Sequence, residues 1–190
     1  KIEIKNPVLW YPNGLGEQHL YSLTVVLKEQ GNVVDEKVLK IGLRELKLVQ
    51  NKDEFGESFY HEVNGLSVFA MGADYIPEDN IFSRINPERT RELLTHCKDC
   101  HFNAIRVWGG GYYPDDYFFD ICDELGILVW QEFPLACNRY HNTPEYVEMF
   151  LQESAAIIDR VKSHVCLMLW CGGNELFNNW SLMTEQDDAI

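Results

Sequence analysis

Glu175 follows Cys166-Leu-Met-Leu-Trp170-Cys-Gly-Gly-Asn174, an apolar run of strand length that ends in a glycine pair and then in two polar side chains. Strands buried in parallel sheets read as continuous apolar runs, and reacting groups in parallel α/β proteins gather where such strands finish. Three earlier apolar runs end in a similar way, near Asp74, at Arg106 and Trp108, and at Trp130-Gln-Glu132. Carboxylates, an arginine and several indoles on one rim suit a sugar, the carboxylates for the chemistry and the indoles for its C–H faces. The same residues also have structural roles open to them. Asn174 fits the N-cap of a following helix with Glu175 favouring its dipole, Trp130 and Trp170 fit caps on a core, and Arg106 fits a buried ion pair with a carboxylate of the same rim.

The elements that would carry these strand ends follow a strand, loop, helix rhythm from Ser67 onward. Strands are expected at 68–71, 104–108, 127–130 and 166–170. A first helix is capped by Asn86 with Pro87 at N1, and places Leu93, Leu94, Cys97 and Cys100 on one face. A second opens at Pro114, carries Phe118, Ile121, Cys122 and Leu125 at helical spacing, and stops at Gly126. A third starts at Thr143-Pro144 and presents Val147, Phe150, Leu151, Ser154, Ile158 and Val161. Four βα steps in series imply a parallel sheet with crossover helices. Before residue 50 the pattern is different. Residues 20–27 and 33–41 alternate loosely about Gly31-Asn32 as a β-hairpin, and further strands are expected at 1–4 and 45–49. Strands without helices suggest part or all of a small β-sandwich, with 51–56 as the exit and a domain boundary there.

With 190 residues, 46% hydrophobic, the chain can bury a sizeable core. Its formal net charge of −14 leaves no basic block to neutralise phosphates, which argues against nucleic acid and anionic membrane surfaces as partners. No apolar run is long enough to span a bilayer. The chain opens at Lys1 with no initiator Met and no signal-like segment, as a piece of a longer protein would. Cys97-Lys-Asp-Cys100-His101 fits the pattern for covalent haem attachment. It lies well inside the first helix, however, and no second C-x-x-C exists, so these cysteines are expected to be small core residues. The other four show no framework spacing and are expected to be free thiols. No metal and no cofactor is expected.

Taken together, Asn103-Ala-Ile-Arg106-Val-Trp-Gly-Gly-Gly111, Cys122-Asp123-Glu-Leu-Gly126-Ile-Leu-Val-Trp130, and Trp170 followed by Gly172-Gly-Asn174-Glu175 resemble the catalytic barrel of glycoside hydrolase family two. The Trp-Gly-Gly-Gly segment and Trp130-Gln-Glu132-Phe-Pro-Leu-Ala-Cys137 resemble β-mannosidases in particular. Leu9-Trp-Tyr-Pro12-Asn-Gly14-Leu-Gly16 and Ile41-Gly-Leu-Arg44 resemble the immunoglobulin-like domain that precedes that barrel. The resemblance implies an immunoglobulin-like all-β sandwich, in part, over 1–50, followed by α/β structure over 51–190, the first four βα units of a (β/α)8 TIM barrel. It implies a retaining glycosidase acting on a glycoside or oligosaccharide with terminal β-D-mannose. Exo-β-glucosaminidase, β-galactosidase or β-glucuronidase activity, and a non-catalytic carbohydrate-binding fragment, are the alternatives.

Carried over by residue, the resemblance makes Glu175 the general acid/base and Asn174 the donor to the sugar 2-hydroxyl. Arg106 lies against the nucleophilic carboxylate, Trp108 lines the subsite for the terminal sugar, and Asp74, Glu132 and Trp180 match rim positions. Gly72-Ala-Asp74 departs from the family's usual Gly-Asn or Gly-Ala-Asn, and Gly173 replaces an Asn common before Asn-Glu. Both departures bear on sugar preference. The nucleophile belongs to a seventh strand absent from these 190 residues, so the chain alone is expected to be inactive. The open edges of half a barrel are expected to favour self-association.

Overall fold

The computed structural model describes residues 2–176. Among them the chain forms two antiparallel sheets and then one parallel sheet backed by helices. The hairpin β1 (Leu20–Glu29) and β2 (Asn32–Gly42) turns at Gln30-Gly31, both with positive φ, the geometry that matches the twist of paired strands. A second antiparallel sheet joins β3 (Leu46–Val49), β4 (Tyr60–Val63) and β5 (Leu66–Val68). It straddles residue 50, where the sequence suggested a boundary.

The parallel sheet has the order β6 (Gly72–Tyr75), β7 (Ala104–Val107), β8 (Leu128–Glu132), β9 (Leu167–Cys171). Helices α1 (Pro87–Asp99), α2 (Asp116–Leu125) and α3 (Pro144–Val161) supply the crossovers. Asn86 and Thr143 cap α1 and α3 by accepting from the amides of Arg89 and Tyr146, and Gly126 ends α2 in the left-handed region. Helix faces and one sheet face enclose a core of Leu94, Phe118, Phe119, Ile121, Cys122, Ile157 and Val161 against Ile105, Val107 and Val129.

Several sequence expectations need correction. The first parallel strand is Gly72–Tyr75, not 68–71, because Asn64-Gly65, both at positive φ, turns Leu66–Val68 back onto Tyr60–Val63 as a hairpin. Residues 2–4 form no strand. Leu93 and Cys100 are exposed, since Thr90, Leu94 and Cys97 make the inward stripe of α1. In α3 Ile157 is buried and Leu151 exposed. The last strand is not buried on both faces: it begins at Leu167, pairs with β8 on one side, and is mostly half-buried.

The antiparallel part is tied to the parallel part through buried groups. Trp10 is fully buried, and its indole N–H donates to the Asp123 carbonyl at 2.7 Å. Arg44 donates Nε to the Val165 carbonyl at 2.6 Å and Nη2 to that of Leu167, so the approach to β9 is held from below. Asp123 sits at the centre of this junction, with Oδ1 accepting from the Cys166 amide at 2.8 Å and Oδ2 2.7 Å from Nδ1 of His164.

Burial opposes a charge on His164, but the hydrogen bond and charge of Asp123, with Asp120 and Asp116 behind it, outweigh that and raise its pKa. A raised folded-state pKa gives stability that is complete below the unfolded value, about 6.5, and is lost as pH rises through the folded value. Urea unfolding should therefore show stability falling as pH rises above about 6.5, with that fall missing in His164→Gln. Parallel profiles for the two proteins would contradict the assignment.

Candidate active site

In the parallel register Asp74 pairs with Arg106 and Arg106 with Trp130, so the three side chains share one sheet face, and Glu132, two residues on, joins them. Together with Ala70, Gly72 and Met168, the first three line a concavity of about 390 Å³. Arg106 is its centre. Its Nε and Nη2 lie 2.8 and 2.7 Å from Oε1 of Glu132, its Nη1 is 3.2 Å from Oδ1 of Asp74, and Nη2 also donates to Oδ1 of Asn174. Its guanidinium stands 5.5 Å above the Trp130 ring, within cation–π range. Burial works against this charge, but Glu132 and then Asp74 more than offset it, and the guanidinium pKa is raised.

The two carboxylates differ. Glu132 is 1% exposed, with Oε1 on Arg106 and Oε2 accepting from the Gly109 amide at 2.8 Å. Asp74, 57% exposed, opens to the concavity. A buried carboxylate so fully engaged orients its partners rather than meeting a ligand.

Asn174 and Glu175 come to this centre on the loop after β9. That loop is locked to the loop after β8: the Asn174 amide donates to the Leu135 carbonyl at 2.8 Å and the Cys137 amide to the Asn174 carbonyl at 3.0 Å. Two glycines make room for it. A Cβ on Gly109 would lie 2.4 Å from the Phe133 carbonyl oxygen, and one on Gly173 2.6 Å from that of Leu135, so the strand-end loops can close together only without side chains there. Because Arg106 is a pure donor, it fixes the amide orientation of Asn174, with oxygen toward Arg106 and nitrogen toward Cys137. The helix that the capping role of Asn174 and Glu175 requires would lie outside the described residues.

Glu175 adopts φ +55°, a left-handed conformation that costs a non-glycine residue on the order of 1–3 kcal/mol. Its carboxylate is exposed and, among the described residues, meets Cys137, whose thiol donates to Oε2 at 3.1 Å. A side chain held out on a strained turn is positioned rather than packed.

The fold thus collects Asp74, Arg106, Glu132, Asn174 and Glu175 at the carboxyl ends of neighbouring strands. Trp108 is half-buried on the turn after β7, over Gly110, beside a small cleft with Glu132 and Gln131. Trp130 lines the concavity, whereas Trp170 stacks on Phe133, with centroids 5.4 Å apart, as part of the core. Trp180 lies outside the described residues. Cys137 is not singled out by its sequence context, although it ends the segment that begins at Trp130.

Known proteins resemble this chain in sequence and fold. The family model for glycosyl hydrolases family 2 matches residues 1–44. Curated relatives include β-mannosidase B of Emericella nidulans, 36% identical over 92% of the chain, and that of Neosartorya fischeri, 39% identical over 92%. The chain spans 21% of the length of each. Among solved structures, β-D-mannosidase from Dictyoglomus thermophilum superposes with a TM-score of 0.86 at 40% identity, over 94% of this chain and 24% of that one. An exo-chitosanase from Amycolatopsis orientalis, 24% identical, shares the fold with a TM-score of 0.74 over 88% of this chain and 20% of that one. By sequence and by fold, the chain is a relative of the β-mannosidases within the family 2 glycosyl hydrolases.

Proposed function

We propose that this chain is the acid/base-bearing part of a retaining exo-β-mannosidase. Its parallel units would be the first four of a (β/α)8 barrel running from about residue 51, and its antiparallel strands part of an immunoglobulin-like sandwich. The observation that carries this is the convergence on Arg106 of Glu132, Asp74 and Asn174, with the Glu175 carboxylate beside them on its raised turn. Similarity to β-mannosidases over nearly the whole chain supports mannose as the sugar.

Glu175 protonates the glycosidic oxygen as the bond breaks and then takes a proton from the water that releases the sugar. A second carboxylate about 5–5.5 Å away must form the glycosyl ester. Glu132 is already engaged by Arg106 and Gly109, so by the family resemblance the nucleophile lies outside these 190 residues. Of five guanidinium hydrogens, four are directed at Glu132, Asp74 and Asn174, which leaves one on Nη1, among the described residues, for that carboxylate. Asn174 likewise keeps one amide hydrogen free of Cys137, to meet a sugar hydroxyl. Asp74 borders the concavity as a substrate contact, and Trp108 and Trp180 complete the rim.

The different burial of the two acids leads to an energetic contrast. Glu132→Gln should cost about 3–5 kcal/mol in urea denaturation, because it leaves Arg106 short of its buried counter-charge. Asp74→Asn, at an exposed pair, should cost less than about 1 kcal/mol. Equal losses would mean that Arg106 is not anchored by Glu132.

For the reaction itself, Glu175→Ala in the complete enzyme should spare formation of the glycosyl-enzyme from dinitrophenyl β-mannoside, which needs little acid help, and slow its hydrolysis. Azide should restore turnover and appear as β-mannosyl azide with configuration retained. Equal loss for good and poor leaving groups with no azide product, or turnover of another glycoside in preference to mannoside, would refute the proposal.

A further inference from the structure

Beyond the groups a family 2 site requires, a thiol stands inside this one. Sγ of Cys137 accepts from Nδ2 of Asn174 at 3.0 Å and donates to Oε2 of Glu175 at 3.1 Å. Asn174 in turn accepts from Arg106. The donors therefore all point one way, from guanidinium to amide to thiol to carboxylate, and hydrogen bonds aligned in series polarise one another. Cys137 can hold its place in this chain only as a thiol. Its pKa is raised, first by the hydrogen bond to Glu175, which keeps the hydrogen on sulfur. The backbone is arranged for the contact as well, since Cys137 has φ +48° and its amide is bonded to the Asn174 carbonyl.

We propose that Cys137 is a positioning residue for the acid/base, its S–H fixing Oε2 of Glu175 so that Oε1 carries the proton given to the leaving oxygen. This rests on Glu175 having the role proposed above. A protonated carboxyl has one bare oxygen and an ionised one has two, so a donor at Oε2 suits both states and assigns the proton to the other oxygen. When the bond between the anomeric carbon and the glycosidic oxygen breaks, its electron pair leaves with that oxygen, which takes the hydrogen from Oε1. The nucleophilic carboxylate forms the new bond to carbon. Cys137 keeps its own hydrogen throughout, so it acts through Glu175 and not on the substrate.

The test uses the complete enzyme and two classes of leaving group. Cys137→Ala should lower kcat/KM for an alkyl β-mannoside about tenfold while leaving dinitrophenyl β-mannoside within about twofold, because only the first needs a well-placed proton. Cys137→Ser, which retains a donor, should recover most of the loss, and melting curves show whether each variant is folded. Equal losses on both substrates, no loss on either, or a serine variant no better than alanine would each overturn the proposal. Azide rescue of Glu175→Ala separates the two levels: a flat response at Cys137 in an enzyme that shows rescue removes the positioning role alone, and absence of rescue removes both.

Discussion

An arginine side chain only 25% exposed must direct most of its donors into protein, and two of those of Arg106 go to a carboxylate that is itself almost wholly out of water. Neither charge is tolerable there alone. Removing one partner of a buried pair typically costs about 3–5 kcal/mol, so Glu132 and Arg106 fix each other's rotamers more firmly than surface ions would. Once Arg106 is fixed, the orientation of the Asn174 amide follows, and through Cys137 so does the direction of the Glu175 carboxylate.

The scaffold makes that pair possible in three ways. Parallel register sets Asp74, Arg106 and Trp130 side by side. An irregularity between Val129 and Trp130 shifts the register of β9, so that Leu169 rather than Met168 stands opposite Trp130. The glycine turns at 109 and 173 let three strand-end loops close against one another. Below the sheet, Trp10 and Arg44 bind the preceding antiparallel strands to α2 and to the approach of β9. Losing a buried indole of this kind costs about 3–5 kcal/mol, so the rigidity of the site is connected to a segment far from it in sequence.

Much of this is legible in the amino-acid sequence. Apolar runs punctuated by caps, prolines and glycines mark α1, α2 and α3 well, because local propensity and tertiary packing agree there. The candidate residues can be found because parallel strands finish at one rim. Which carboxylate pairs with Arg106 cannot be read, since it depends on the register of β6, β7 and β8. Cys137 is hidden for a related reason: its role comes from a left-handed backbone and a contact 38 residues away. The misplaced strand at 68–71 has a signal, Asn64-Gly65, that the apolar pattern masks. On α1 the neighbours Leu93 and Leu94 cannot both face inward at 100° per residue, and packing against α2 decides between them.

The claim that Arg106 organises the site is tested most directly by a double-mutant cycle between Glu132 and Asn174, which both bind Arg106. Glu132→Gln, Asn174→Ala and the double variant would be compared in the complete enzyme by kcat/KM on nitrophenyl β-mannoside. Dependence on a common guanidinium should make the two effects non-additive by about 1 kcal/mol or more. Additivity within about 0.5 kcal/mol would mean that Glu132 and Asn174 act independently and that Arg106 does not couple them.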